Sequence, residues 1–429
     1  MFGENNLNNN MQDNMKGTIE KNKRWGKFIF GFVTGFATAI LIVIGLNLQV
    51  ANKFQLNSKS ATSSKAEKSK ESIDFTAVEN KVNTIQQLIN RFYLNKIDYD
   101  KMESGIYSGL VSSLGDPYST YYTKDEFDLL MESTKGTYSG IGALLSQDPK
   151  TGIVSIIKVY EGTPSEEAGL HEGDMIYKVD DIEVTGMDLA EAVTHIKGKE
   201  SSKVHLTIAR EGESDYLQFD VERRKINVPT VISKMMDDKV GYIAVSEFDE
   251  VTYDQYTKAL DQLIDDGMKG LVIDLRNNPG GNLDIVCKMV DEILGKGLIV
   301  YIEDKNGKRE EFKSDANNKL KVPLAVLING NSASASEIFA GAVKDYKIGT
   351  LVGTKTFGKG IVQQLIDLKD GSALKLTIAS YFTPSGVNIH GVGIKPDEEV
   401  ELSESAKEDK VIKPEEDNQL QKAIEIVTQ

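Results

Sequence analysis

One cysteine in 429 residues leaves no partner for a disulfide within the chain, and four histidines beside that single thiol do not make up a structural zinc cluster. Cys287, set in the apolar run LDIVCKMV, reads as a small buried residue. Positive charge is also short: 50 lysines and arginines face 65 aspartates and glutamates, for a formal net charge of -15. Such a chain repels phosphate backbones, and no basic stripe studded with aromatics lies outside the extreme N-terminus, so nucleic acid is not an expected partner. The length exceeds what one ordinary core serves, so about two to three domains are expected.

Charge is absent altogether from Phe28 to Leu46, FIFGFVTGFATAILIVIGL, a run long enough for a helix to cross the hydrocarbon core of a bilayer. Lys16, Lys21, Lys23, Arg24 and Lys27 precede it and favour a cytoplasmic N-terminus. The run is longer than the apolar part of a usual signal peptide, and no small-x-small cleavage site follows. The expectation is a cytoplasmic tail over residues 1–27 and a signal-anchor over 28–48. Everything beyond would then be extracytoplasmic, held to the cell membrane by a single pass. Residues 49–73, rich in lysine and serine and without apolar periodicity, read as a flexible tether.

Four further segments follow. Over 74–135, Val82, Ile85, Leu88, Ile89 and Phe92 recur at helical spacing, as a core face or a dimer interface, and the loop GDPYSTYYT (Gly115 to Thr123) interrupts the helical stretch. Over 136–224, short alternating runs such as GIVSIIKVY and KVHLTIAR predict a small β-rich domain. Its one inserted helix buries Leu189, Ala192, Val193 and Ile196. Over 225–405, strands (GYIAVSEF, GLVIDLR, PLAVLING) alternate with helices (DQYTKALDQLIDD, LDIVCKMVDEIL, SEIFAGAVKDY), the pattern of an α/β layer with βα crossovers. A hairpin turning at Asp370-Gly371 follows, and a helical segment closes the chain over 406–429.

Chemistry concentrates in the α/β segment. In GNSASASEIFAG (Gly330 to Gly341), Ser334 either caps a helix, since Ser334 and Glu337 fit the S-x-x-E capping box, or acts as a nucleophile. A nucleophile needs a base. His171, His195 and His205 all lie in the β-rich segment and only His390 falls near, so a Ser-His-Asp arrangement is poorly supplied. A lysine serves if its amine is desolvated, and Lys359 in GTKTFGKGIVQQ is the candidate. As part of a strand, Lys359, Ile361 and Gln363 would share a face, so that the Gln363 amide could orient the amine. The turn DLRNNPGG (Asp274 to Gly281) ends a strand, and the N–H groups of Gly280 or Gly281 could converge with that of Ala335 as an oxyanion hole. Asp274, Arg276 and Asn277 read as residues that hold this turn. The loop Tyr138-Ser-Gly-Ile-Gly142 could present consecutive N–H groups to a peptide carboxylate.

Together GDPYSTYYT, DLRNNPGG, NSASASEIFAGA, GTKTFGKGIVQQ and SGVNIHGVGIKPD resemble the carboxyl-terminal processing, or tail-specific, proteases, from about Phe75 to the end of the chain. The resemblance implies an α/β core of the ClpP/crotonase-like type with an inserted PDZ domain and a helical N-terminal region, to which the apolar run adds one N-terminal transmembrane helix. In that family the middle serine of the SASAS run is followed 25 residues later by a lysine and four after that by a glutamine, and positions 334, 359 and 363 fit. It therefore implies Ser334 as nucleophile, Lys359 as general base, Gln363 as its hydrogen-bonding partner, and Gly140, Ile141 and Gly142 as the cradle for the C-terminal carboxylate of a protein or peptide substrate. It implies a serine endopeptidase without metal or cofactor, and a homodimer joined through the N- and C-terminal helices. A β-lactamase-like reading fails, because the S-x-x-K matches at Ser155 and Ser372 fall in strand patterns.

Overall fold

The computed structural model describes residues 72–315, 318–403 and 414–429. The expected anchor, cytoplasmic tail and nearly all of the tether lie outside these residues, and among the described residues no helix is long and apolar enough to cross a membrane. The chain divides into two units, residues 1–95 and 96–429. In the first, helix α1 (Phe75–Phe92) is capped by the Asp74 carboxylate, which accepts from the Ala77 N–H at 3.0 Å. None of its residues is buried, and Ile85, Leu88 and Phe92 are exposed, so its apolar stripe is not a core face within the described structure.

The second unit opens with α2 (Tyr99–Ser112), β1 (Thr120–Tyr122) and α3 (Lys124–Lys135). The GDPYSTYYT segment is thus part strand, which three residues of local pattern cannot announce, because its pairing partner lies some 250 residues downstream. Strand β2 (Thr137–Gly140) begins the β-rich part, followed by β3 (Ala143–Gln147), β4 (Val154–Val159), helix α4 (Pro164–Ala168), β5 (Met175–Val179) and β6 (Ile182–Glu183). Helix α5 (Leu189–Ile196), β7 (Lys203–Ala209), β8 (Leu217–Glu222) and β9 (Arg224–Asn227) complete it. Strands β3-β4-β5-β7-β8 form one sheet in that order, with β3 at its edge. Its own apolar cluster includes Val154, Ile156, Ile176, Leu206, Ile208 and, from α5, Ala192 and Ile196. Leu189 packs against this cluster half-buried, and Val193 is half-buried too, so the buried face of α5 is narrower than its spacing suggests. Antiparallel pairing of β2 with β9 closes the segment at its entry and exit.

The remaining chain builds two sheets around shared helices. Its elements are β10 (Val231–Met235), β11 (Val240–Val245), α6 (Thr252–Asp265), β12 (Gly270–Asp274), α7 (Leu283–Asp291), β13 (Gly297–Asp304) and β14 (Arg309–Ser314). They continue with β15 (Leu324–Ile328), α8 (Ala335–Tyr346), β16 (Thr350–Gly353), β17 (Ile361–Asp367), β18 (Ala373–Phe382), β19 (Glu398–Glu399) and α9 (Asn418–Thr428). One sheet runs β10-β11-β12-β15-β16-β19, parallel from β11 onward. Its central strands β12 and β15 are buried at every residue, as both-face burial in a parallel sheet requires. Alternation divides them: Leu271, Ile273 and Val326 face the cluster that includes α6, α7 and α8, while Val272, Ala325 and Leu327 face α9. The second sheet, β1-β18-β13-β14 with β17 on β18, packs against the far side of α7 and α8. The β13–β14 hairpin has no counterpart in the sequence reading.

Leu420, Ala423 and Val427 of α9, spaced as one helical face, are buried on the chain's own sheet. They are therefore not free for the dimer contact expected of the C-terminal helix. An ion cluster fixes this docking: Arg276, just past β12, bonds Asp274 and reaches both carboxylate oxygens of Asp417 at 3.0 and 2.7 Å, with side-chain exposures of 12 % and 5 %. Asp417 also caps α9 through the Leu420 N–H. Asp417→Ala removes two charge-assisted bonds to the buried Arg276, which keeps Asp274, together with the cap of α9, and is expected to cost about 3 kcal/mol of stability, measured as the shift in a denaturant unfolding midpoint. Asp417→Asn, which keeps a capping oxygen, is expected to cost less.

Candidate active site

The parallel sheet ends in two loops that carry most of the candidate residues. After β12 the chain turns through Asn277 at φ 60°, Gly280 at φ 111° and Gly281 at φ 141°. After β15 it runs through Asn329 to Ser334, the N-cap of α8. Side chains stitch these loops together. Asn277 Oδ1 accepts from the Asn329 and Asn331 amides at 2.9 and 3.0 Å, and Ser332 Oγ donates to the Leu275 carbonyl at 2.8 Å. Ser336 Oγ donates to the Asn278 carbonyl at 2.9 Å. The outer two serines of the SASAS run are thus buried and committed to backbone.

Ser334 differs from them. It is half-buried, its hydroxyl makes no side-chain capping hydrogen bond, and its backbone stands at φ 54°, ψ -113°, where a non-glycine residue costs on the order of 1–3 kcal/mol. Its neighbours hold that strain. Ser334 N–H donates to Glu337 Oε2 at 2.9 Å, and its carbonyl accepts from the Glu337 N–H at 2.8 Å and the buried Tyr381 hydroxyl at 3.0 Å. A side chain at Gly280 would place Cβ 2.8 Å from Ser334 Cβ and 3.0 Å from Ala335 N, so only glycine lets the two loops meet.

Of the proposed oxyanion donors, Gly280 N–H is already engaged by Asn278 Oδ1 at 2.8 Å. The Gly281 and Ala335 N–H groups donate to no acceptor within the described residues. Ala335 opens α8, so the positive end of that helix points the same way.

Glu337 is the residue the sequence reading missed as more than a cap. Fully buried, it accepts four hydrogen bonds. Besides Ser334 N–H, these come from Thr356 Oγ1 at 2.6 Å, Gly358 N–H at 2.7 Å and Lys359 N–H at 2.8 Å. One carboxylate therefore ties the Ser334 segment to the Lys359 segment. The Lys359 side chain is half-buried, with Nζ 5.0 Å from the centre of the Tyr118 ring. Burial and then the Lys375 charge pull its pKa below the ordinary lysine value, against the opposing pull of Asp116 and Glu337.

Gln363 is placed otherwise than the alternation argument requires. Strand β17 starts at Ile361, two residues beyond Lys359, and a bulge between Val362 and Gln363 breaks the period-two pattern. Gln363 Nε2 is buried and has no hydrogen-bond partner among the described residues. His390 is exposed, edge-on to Tyr118 at 6.4 Å, and His205 bonds Asp220 and Gln218 on the β-rich sheet. Burial pushes the Cys287 thiol up to about 12, which leaves it inert. In the β-rich part, Ile141 and Gly142 link β2 to β3. The Gly142 carbonyl accepts from Tyr160 N–H at 3.0 Å and Thr163 Oγ1 at 3.1 Å, and the Ile141 carbonyl from Ser165 N–H at 2.8 Å. Gly140 pairs with Arg224.

A model of peptidase family S41 matches residues 239–400, a PDZ-domain model matches 155–210, and a model of the N-terminal domain of the activating protease CtpB matches 38–126. The carboxy-terminal processing protease CtpA of Bacillus subtilis (strain 168) is 38% identical over 328 residues, 76% of this chain and 70% of that protein. The chain belongs to peptidase family S41. A CtpA-like serine protease of Staphylococcus aureus (strain N315) is 39% identical to this S41 peptidase over 322 residues, 74% of this chain and 64% of the relative. Among solved structures, a photosystem II D1 C-terminal processing protease is 29% identical, with a TM-score of 0.46, covering 76% of this chain and 86% of that one. The PDZ match runs from β4 through β7, so the chain is an S41 serine-type peptidase with a PDZ domain.

Replacing Glu337 with alanine strands four buried donors, each costing about 1–3 kcal/mol. Glu337→Ala is expected to lower the thermal unfolding midpoint, and Glu337→Gln, isosteric but carrying donors on one arm, is expected to reduce peptidase turnover at least about ten-fold. Turnover and the midpoint, measured on the same preparations, check both.

Proposed function

We propose that this S41 peptidase is a membrane-anchored, extracytoplasmic endopeptidase that recognises protein C-terminal tails through its PDZ domain and cleaves by a Ser334–Lys359–Gln363 acyl-enzyme mechanism. The observation that carries this reading is the Glu337 carboxylate, which holds the backbones of Ser334 and Lys359 on one group. Lys359 accepts the Ser334 hydroxyl proton as Oγ bonds to the scissile carbonyl carbon, and the oxyanion is met by the Gly281 and Ala335 N–H groups. The lysine then gives its proton to the leaving amine as the C–N bond breaks. Lys359 Nζ then takes a proton from water as its oxygen bonds to the acyl carbon, and returns that proton to Ser334 Oγ as the C–Oγ bond breaks. Gln363, whose buried Nε2 has no hydrogen-bond partner among the described residues, orients the base.

For the tail, β3 offers an unpaired sheet edge to which a peptide can add as a strand beside α5, its carboxylate directed at the Gly140–Gly142 loop. The basic flank and apolar run of the N-terminus support the anchor, and the exposed apolar residues of α1 support a contact between two copies.

Digestion of an unstructured protein by the full chain tests the chemistry. Ser334→Ala and Lys359→Ala are each expected to lower turnover at least about 10³-fold, and full activity in either variant defeats the dyad. Amidating the substrate's C-terminus is expected to slow cleavage, and an unchanged rate removes the PDZ role.

A further inference from the structure

The GDPYSTYYT segment is far from Ser334 in sequence, yet it is built onto the strand that backs the base. Asp116 folds the loop by accepting from Tyr118 N–H at 3.0 Å and Ser119 Oγ at 2.5 Å. Ser119 Oγ accepts in turn from Thr377 N–H at 3.1 Å, and β1 pairs with β18 as Thr120↔Lys375, Tyr121↔Leu374 and Tyr122↔Ala373. This anchoring aims two tyrosines at two lysines. Lys359 Nζ lies 5.0 Å from the Tyr118 ring centre, and Lys375 Nζ lies 5.2 Å from that of Tyr122. Among the described residues Lys359 Nζ makes no ion pair, and the Tyr118 ring is the group set against it.

We propose that Tyr118 is a positioning residue for the base, its ring face holding the Lys359 side chain as an ammonium ion until the proton leaves. The inference rests on the assignment of Lys359 as base. An aromatic face attracts the cation and not the neutral amine, so the ring stabilises the resting, protonated form and releases the amine on deprotonation. The other charges facing Lys359 are Asp116 and Glu337, which favour the ammonium, and Lys375, which disfavours it. The His390 ring stands at 67° to the same ring, 6.4 Å between centroids. The loop thus works on the base from both sides, since Asp116 and Tyr118 hold the proton on while Tyr122 fixes the lysine that drives it off.

The sign follows directly. Removing the ring face lowers the Lys359 pKa, so the neutral amine appears at lower pH. The Nζ titration is followed by lysine-selective NMR in the full chain carrying Ser334→Ala, with the signal assigned by its loss in Lys359→Arg. Tyr118→Leu is expected to lower the midpoint by about half to one pH unit, Tyr118→Phe to leave it unchanged, Asp116→Asn to lower it and Lys375→Met to raise it. The acidic limb of kcat/KM in the corresponding Ser334-containing chains is expected to move with it. An unmoved midpoint in folded Tyr118→Leu overturns the inference, and so does a drop of the same size in Tyr118→Phe. Where Tyr118→Leu does not fold, Tyr118→Trp replaces it: a midpoint at or above wild type supports the ring's role, and a lowered one overturns it. A midpoint that falls while the acidic limb stays in place leaves the ring's role standing and defeats Lys359 as the base.

Discussion

The Glu337 carboxylate is the constraint on which the site depends. A buried carboxylate is costly unless its lone pairs are occupied, and here four donors from two stretches of chain converge on it. Its position in the first turn of α8 ties it rigidly to the helix that Ser334 caps. Its other contacts fix Thr356, Gly358 and Lys359, which precede β17. Thr356 extends the link, since its hydroxyl accepts from Ile394 N–H at 2.7 Å, so the SGVNIHGVGIKPD segment is fastened to the same group. Sequence motifs separated by tens of residues become one object because they share one desolvated charge.

The strain at Ser334 belongs to the same arrangement. A positive φ at a serine persists only where surrounding contacts over-determine it. Here the N–H, the carbonyl and the space at Gly280 are all fixed by neighbours in other elements. Those neighbours are Glu337 in α8, Gly280 in the loop that follows β12 and Tyr381 on β18 of the opposing sheet, so elements from both sheets and the helix between them give the turn its rigidity. The C-terminal helix reinforces it from the other face through Arg276, which lies one residue before Asn277 and four before Gly280.

Much of this was legible in the sequence where the signal is local. The alternation of strands and helices from GYIAVSEF to SEIFAGAVKDY, the runs of the β-rich segment and the turn at Asp370-Gly371 all appear where period and turn chemistry put them. What escaped depends on long-range pairing or on competition for a group. Period-two logic placed Gln363 on the same face as Lys359, but a bulge invisible in the sequence intervenes. Gly280 and Gly281 looked equivalent as donors until the Asn278 side chain was found to occupy one of them. The S-x-x-E pattern set cap against nucleophile as alternatives. The structure makes them compatible, because Glu337 returns to the Ser334 N–H while the serine hydroxyl is left without a capping bond.

That resolution also explains how a carboxylate can sit beside Lys359, the lysine proposed as the base. An Asp or Glu in direct contact with an ammonium raises the lysine pKa and would keep it charged. Glu337 does not form that pair. Its oxygens are occupied by three backbone N–H groups and a hydroxyl, and it meets Lys359 through the amide rather than Nζ. Only its longer-range attraction reaches the ammonium, and it ranks below burial and Lys375 among the influences on that group. A single carboxylate can therefore fix the backbone of Lys359 without pairing with its Nζ, a separation that depends on every one of its acceptor sites being filled by other donors.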